Sequence, residues 1–166
     1  MIVAKFVEEV TSWIRVQIES AGARGGVVGI SGGLDSAVVS LLLKRAVGDN
    51  MLGLIMPCHS VSSDFEDAVD FVQKFQIPHK VLDLSSVYDG FLRVLGESDK
   101  KGDLALANLK PRLRMMTLYY FANRLNYLVV GTGNRSELEV GYFTKYGDGG
   151  VDILPIGSLV KSEVRE

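Results

Sequence analysis

Between Gly29 and Ser36 the chain reads Gly29-Ile30-Ser31-Gly32-Gly33-Leu34-Asp35-Ser36, a run able to cradle a pyrophosphate. Gly32 and Gly33 present no side chain, so phosphate oxygens can approach the backbone amides, and Ser31 and Ser36 can add hydroxyl donors. Asp35 would repel bare phosphate. Its presence points to a bridging divalent cation, most simply Mg²⁺, surrounded by carboxylate, phosphate and water oxygens. The plainer alternative is that two glycines turn the chain while Ser36 or Asp35 caps a helix, as those residue types commonly do. The joint pattern, set between a strand and a helix, favours a nucleotide. Two other phosphate loops are excluded: no Gly-x-x-x-x-Gly-Lys-Ser/Thr occurs, and Gly131-Thr132-Gly133-Asn134-Arg135-Ser136 closes on Ser where a dinucleotide fingerprint needs Gly or Ala. A dehydrogenase is disfavoured.

Such a loop works where a strand ends and a helix starts. Gly26 to Ile30 is short and apolar, as a buried parallel strand should be, and Ala37, Val38, Leu41, Leu42 and Arg45 continue at helical spacing. Amides at that helix start face outward with the positive end of the macrodipole behind them. Upstream, Val3, Phe6, Val7, Val10, Trp13, Ile14 and Ile18 predict an amphipathic helix that closes near Gly22 and covers the sheet. Downstream, a second strand is predicted over Met51 to Met56, then a helix opened by a Ser63-Asp64-Phe65-Glu66 capping box and running through Phe75. Lys80 to Leu84 predicts a third strand, Val87 to Leu95 a short helix, Gly96 to Asp103 a mobile surface loop, and Leu113 to Leu125 a longer helix with Pro111 near its start or at a kink. Tyr127 to Val130 is the fourth strand. Short apolar strands alternating with amphipathic helices imply an α/β fold, a doubly wound parallel sheet with helices on both faces. Ligands then bind beyond the carboxyl ends of the strands. The Ser31 loop and the Gly131-Thr132-Gly133-Asn134 loop should share one crevice.

From Gly131 to Lys161 the chain is polar and glycine-rich for a segment leaving a core strand. It reads either as a lid or binding loop, or as a solvated connection in which Tyr142, Phe143 and Tyr146 pack and the charges face water. His59 and His79 follow Pro57-Cys58 and Pro78 and are expected at the surface without a general-base role. Cys58 lacks a His-Asp or His-Glu partner spacing, and small apolar filling is its expected duty.

With 166 residues, 47% of them hydrophobic and 23% charged, the chain suits a single domain over 1–166 with a continuous core. Its 18 basic and 20 acidic residues are too balanced for a general nucleic-acid surface. A lone cysteine gives no disulfide and no cysteine metal cluster, and fits a reducing, cytoplasmic compartment. The acids within the first nine residues do not suit a secretory signal. No apolar run approaches the ~18 residues of a membrane span.

Three segments together resemble the NAD synthetases: Ser31-Gly32-Gly33-Leu34-Asp35-Ser36, then Gly131-Thr132-Gly133-Asn134-Arg135-Ser136-Glu137-Leu138, and above all Gly141-Tyr142-Phe143-Thr144-Lys145-Tyr146-Gly147-Asp148-Gly149-Gly150 followed by Pro155-Ile156-Gly157. The first motif is shared across the ATP pyrophosphatases, or PP-loop enzymes, which include GMP synthetase and tRNA-thiolating enzymes. The last is the discriminating one. The resemblance implies an adenine nucleotide alpha hydrolase-like fold and ATP- and Mg²⁺-dependent amidation of deamido-NAD to NAD with ammonia, through an adenylated nicotinate, releasing AMP and pyrophosphate. Position by position it implies ATP binding by Gly29, Ile30, Ser31, Gly32, Gly33, Leu34, Asp35, Ser36, Thr132 and Lys161, and Mg²⁺ ligation by Asp35 and Glu137. Asp35 and Lys161 would serve the chemistry, and Arg112, Lys145, Asp148 and Asp152 would contact deamido-NAD. Taken alone, Arg112 and Arg114 would be a solvated helix face and Lys161 a helix-start lysine. The resemblance further implies a homodimer, and free ammonia or a separate glutaminase as nitrogen source. Relatives continue beyond the helix that begins near Lys161, so the domain is expected to be C-terminally incomplete and to turn over poorly alone. The alternatives are another adenylating PP-loop enzyme or an ATP-binding module without chemistry, which would have little need for two metal-binding carboxylates.

Overall fold

The computed structural model describes residues 2–100 and 102–166; Met1, and Lys101 of the expected polar loop, lie outside them. The elements run in the order α1 (Ile2–Ser20), β1 (Gly25–Gly29), α2 (Leu34–Val47), β2 (Met51–Ile55), α3 (Ser62–Lys74), β3 (His79–Val81), α4 (Ser85–Leu95), α5 (Leu104–Ala107), α6 (Leu109–Leu125), β4 (Tyr127–Val130), α7 (Arg135–Val140) and α8 (Lys161–Arg165). The strands form one sheet in the order β3-β2-β1-β4, every pairing parallel. β1 thus has β2 on one side and β4 on the other, with Val27 opposite both Leu52 and Val129. Ile153 adds a further parallel bridge to Val130.

Alternation along the strands distributes the core. Val28, Met51, Ile55 and Val130 pack with Val10, Ile14 and Ile18 of α1, Val39 and Leu43 of α2, Val72 of α3 and Val164 of α8. Their neighbours Val27, Leu52, Leu54 and Val129 face the other way, onto Tyr88 and Leu92 of α4, Leu106 of α5 and Ala122 of α6. Both faces are covered, which is the doubly wound arrangement that continuous apolar strands demand.

Several boundaries differ from the sequence reading. The Ser63–Glu66 capping box does not form, because α3 starts at Ser62 with Val61 at its N-cap and no side-chain cap bond; Ser63 is already inside the first turn. β3 pairs as a strand only over His79–Val81, beside Gly53 to Ile55, and is shorter than Lys80 to Leu84; the Leu82 and Leu84 amides still donate to the Ile55 and Pro57 carbonyls, but Pro57 has no N–H to return, and Asp83 then accepts the amide of Ser85 at 2.8 Å and turns the chain into α4. The polar stretch after Gly96 leads into α5, capped by Asp103, which accepts the amides of Ala105 and Leu106. α6 opens at Leu109, so Pro111 sits in its first turn, where a missing N–H leaves no intrahelical bond unmade.

Candidate active site

β1 runs out at the carboxyl edge of the sheet, and the chain turns through Ser31 to Gly33 into α2, with Gly33 as its N-cap. Gly32 makes that turn possible. Its φ is +83°, and a β-carbon there would run into the backbone of Asp64 in α3. The Ser36 hydroxyl donates to the Gly33 carbonyl at 2.8 Å and accepts the Ser31 amide at 3.2 Å. The Ser31 and Ser36 hydroxyls lie 3.1 Å apart. Because Ser36 has one proton and gives it to Gly33, Ser31 is the donor in that pair. Both hydroxyl protons are therefore used inside the loop: the serines brace it, and the amides of Leu34, Asp35 and Ser36 have no carbonyl four residues back within the helix.

Asp35, in the first turn of α2, is met from two other elements. Its Oδ2 accepts the Lys161 ammonium of α8 at 2.5 Å and the Asn134 amide Nδ2 at 3.3 Å. Its Oδ1 is buried and has no protein partner among the described residues. Asn134, 1% exposed, follows β4 and caps α7: its Oδ1 accepts the Glu137 amide while Glu137 Oε2 accepts the Asn134 amide, each at 3.1 Å. The Ser136 hydroxyl accepts the Lys161 amide at 3.1 Å, tying α7 to the start of α8.

Of these residues Ser31, Asp35, Ser36, Glu137 and Lys161 line a cavity of about 280 Å³, together with Thr132 and Asp148. The two polar loops share one crevice, as the topology required, and both carboxylates face it. A larger cavity of about 770 Å³ adjoins it, sharing Ser31, Thr132, Phe143 and Asp148 and reaching Gly29, Ile30, Met56 and Arg114. Gly131 keeps the seam between strand and loop tight: a β-carbon there would stand 2.6 Å from Val151 and 2.8 Å from Leu154. No group of three or more His, Cys, Asp and Glu suited to a metal occurs among the described residues. A cation held here by Asp35 and Glu137 would thus complete its shell with phosphate and water oxygens, and the orphaned Asp35 Oδ1 is an acceptor suited to it.

The remaining predicted residues lie apart. Arg112 donates from Nε to the Lys145 carbonyl at 3.3 Å, and the Lys145 ammonium stands 5.2 Å from the Tyr146 ring centre. Asp152 accepts the Tyr119 hydroxyl at 2.9 Å and the Val129 amide at 2.7 Å. None of Arg112, Lys145 and Asp152 lines either cavity. Asp148 does, while also accepting the Thr144 amide at 2.8 Å. Tyr142 and Tyr146 are 78% and 67% exposed, against the reading in which the loop aromatics simply pack. Arg114 departs from the solvated-face expectation: it is half-buried and donates from Nε to the Met56 carbonyl at 3.0 Å, beside the larger cavity. Its two-residue offset from Arg112 was the available signal, since residues two apart on a helix point different ways. Asn134 had no assigned role, although Asn134-Arg135-Ser136-Glu137 carries the cap spacing.

His59 and His79 are exposed, the former 2.8 Å from Asp89. Burial in the core pushes the Cys58 thiol up, so it stays protonated and inert at neutral pH.

The NAD synthase family model matches residues 6–166. The chain belongs to the NAD synthase family. The resemblance read from the Tyr142 to Gly150 run is thereby borne out, and the PP-loop alternatives are not favoured. An NH(3)-dependent NAD(+) synthetase of Carboxydothermus hydrogenoformans is 52% identical over 96% of this chain and 66% of its own length. Among solved structures, the NH3-dependent NAD synthetase of Campylobacter jejuni superposes with a TM-score of 0.90 at 37% identity, over 97% of this chain and 69% of that one. An NMN synthetase of Francisella tularensis superposes with a TM-score of 0.91 at 34% identity, over 97% of this chain and 67% of that one. This family member therefore spans about two thirds of the length of the relatives it matches. No helix among the described residues is long and apolar enough to cross a membrane.

Proposed function

We propose that this chain carries the ATP site of an ammonia-dependent NAD synthetase, which amidates the nicotinate carboxylate of deamido-NAD. The observation that carries the reading is the meeting of Asp35 and Glu137, from the ends of different strands, over the cavity opened by the Ser31 loop. A carboxylate is a poor electrophile. One of its oxygens attacks the α-phosphorus of ATP, the bond to the β-phosphate oxygen breaks, and pyrophosphate leaves. Ammonia then adds to the acyl carbon, loses a proton, and displaces AMP to leave the amide. The amides at the start of α2 hold the departing pyrophosphate where its charge develops. Asp35 and Glu137 would hold Mg²⁺, which when bound neutralises phosphate charge. Thr132 and Lys161 reach the nucleotide, with the Lys161 ammonium offsetting negative charge. Arg112, Lys145 and Asp152, with Asp148 of the cavity wall, contact deamido-NAD.

A homodimer, a cytoplasmic site of action, and ammonia supplied free or by a separate glutaminase belong to the same reading. The test is incubation with deamido-NAD, ATP, Mg²⁺ and ammonium, on this chain and on one extended to the length of the relatives. NAD, AMP and pyrophosphate in equal amounts are expected, with faster turnover from the longer chain. Deamido-NMN runs in parallel because an NMN synthetase is among the similar structures. Folded protein that releases no pyrophosphate with either substrate would sink the reading.

A further inference from the structure

We propose that Asn134 is a positioning residue that ties the two carboxylates of the cation site to each other. The inference rests on the reading of Asp35 and Glu137 given above. Asn134 uses three of its polar groups on those two residues. Its backbone N–H meets Glu137 Oε2, its Oδ1 accepts the Glu137 N–H, and its Nδ2 donates to Asp35 Oδ2. The first two bonds form a capping box, a task that Asp, Ser or Thr performs about as well as Asn. The third sets Asn apart. Among residues that cap well, only Asn offers an acceptor to the helix and an N–H donor to a second partner from one planar group. Asp would set a further negative charge against Asp35, and Ser is too short to serve both. The helix does not require Asn here; Asp35 does.

The geometry says what the link achieves. Asp35 Oδ2 takes both the Asn134 donor and the Lys161 ammonium, so Oδ1 is the oxygen left unpartnered. Glu137 Oε2 is likewise held by the cap, leaving Oε1 for a ligand. Asn134 thus orients the Asp35 carboxylate of α2 through its side-chain Nδ2 and the Glu137 carboxylate of α7 through its backbone N–H, with its Oδ1 on the Glu137 amide fixing the side chain between them. Side chains that orient ligating groups in this way commonly matter to metal affinity by about 10-fold or more.

The test uses Asn134→Asp and Asn134→Ser, both of which retain an N-cap acceptor. Mn²⁺ affinity is measured by electron paramagnetic resonance in the presence of ATP, alongside ATP affinity in EDTA and the melting temperature. The expected result is Mn²⁺ binding weakened about 10-fold or more in both variants, with melting temperature and metal-free ATP affinity close to wild type in Asn134→Ser and lowered in Asn134→Asp by the added charge beside Asp35. Asn134→Asp is the sharper variant, because charge alone would tighten Mn²⁺ binding whereas loss of the orienting donor weakens it. Unchanged or tighter Mn²⁺ binding in that variant overturns the proposal. If it does not fold, Asn134→Ser decides, and unfolding of both also overturns it, since the residue would then serve the scaffold alone. Failure of the wild-type protein to bind Mn²⁺ with ATP strikes instead at the cation-site reading itself.

Discussion

Asp35 is held at one carboxylate oxygen by Lys161 and Asn134, while the other is buried without a partner among the described residues. Asp35→Asn keeps the shape and removes the charge. The expected outcome is a folded protein, by melting temperature, whose pyrophosphate release, measured in a chain extended to the length of the relatives, falls at least about 100-fold. Two tyrosines give a pH prediction of a different kind. Tyr88 and Tyr119 are each pushed up to about 12, first by burial and then by hydrogen bonds to Asp99 and Asp152. An unfolded tyrosine ionises near about 10. Below that, both states hold the proton and these residues leave stability independent of pH. Above it, the unfolded chain releases protons that the fold retains, so stability declines as pH rises from about 10 toward about 12. Urea melts at about pH 9 and about pH 11 should show that decline, and Tyr88→Phe with Tyr119→Phe should flatten it.

Among the elements, the turn from β1 into α2 depends on the neighbouring α3, because Gly32 is pressed against the Asp64 backbone at a φ of +83°. Gly32→Ala is expected to cost roughly 1–3 kcal/mol in denaturant melts and to weaken ATP binding, since α3 must withdraw or the loop must reshape. The elements were readable where local pattern and tertiary need agree. β4 matches its predicted span because Tyr127 to Val130 is apolar and bounded by Asn126, at positive φ, and Gly131. The α3 cap was misread because two positions compete for the helix start, and the pattern at Ser63 says nothing of the contact at Asp64. α5 was missed because Leu104-Ala105-Leu106-Ala107 is too short for periodicity to register. In the site, residues within contiguous motifs were legible. The bond from Asn134 to Asp35 joins positions 99 residues apart, and no spacing rule carries that distance.

Across the whole molecule the predicted site residues fall into two sets. Asp35, Thr132, Glu137 and Lys161 converge on the smaller cavity, whereas Arg112 of α6 bonds the Lys145 carbonyl and Tyr119, farther along α6, bonds Asp152, both partners lying between α7 and α8. If the sets serve different substrates, kinetics should separate them. Arg112→Ala should raise KM for deamido-NAD about 10-fold and leave KM for ATP unchanged. Thr132→Val should do the reverse, and steady-state titration of each substrate in the extended chain checks both.

The path of the chain after β4 has one more consequence. Val129 O accepts the amides of Asp152 and Ile153 at 2.9 and 3.3 Å, and Gly131 N donates back to Ile153 O at 2.8 Å. The excursion from Thr132 to Val151 therefore leaves and rejoins the sheet at one place, like a cassette plugged into a single socket. Strand register is set at that joint, while Asn134, Ser136 and Thr144 tie the excursion to Asp35, Lys161 and Asn108, so its length and composition can change between those ties without disturbing the strands. Glu137, Phe143, Lys145 and Asp148 all ride on that insert, whereas the Ser31 loop does not. Transplanting the insert between relatives, with Asn134 and Glu137 kept, is a route to altered substrate preference that leaves the phosphate-holding turn intact.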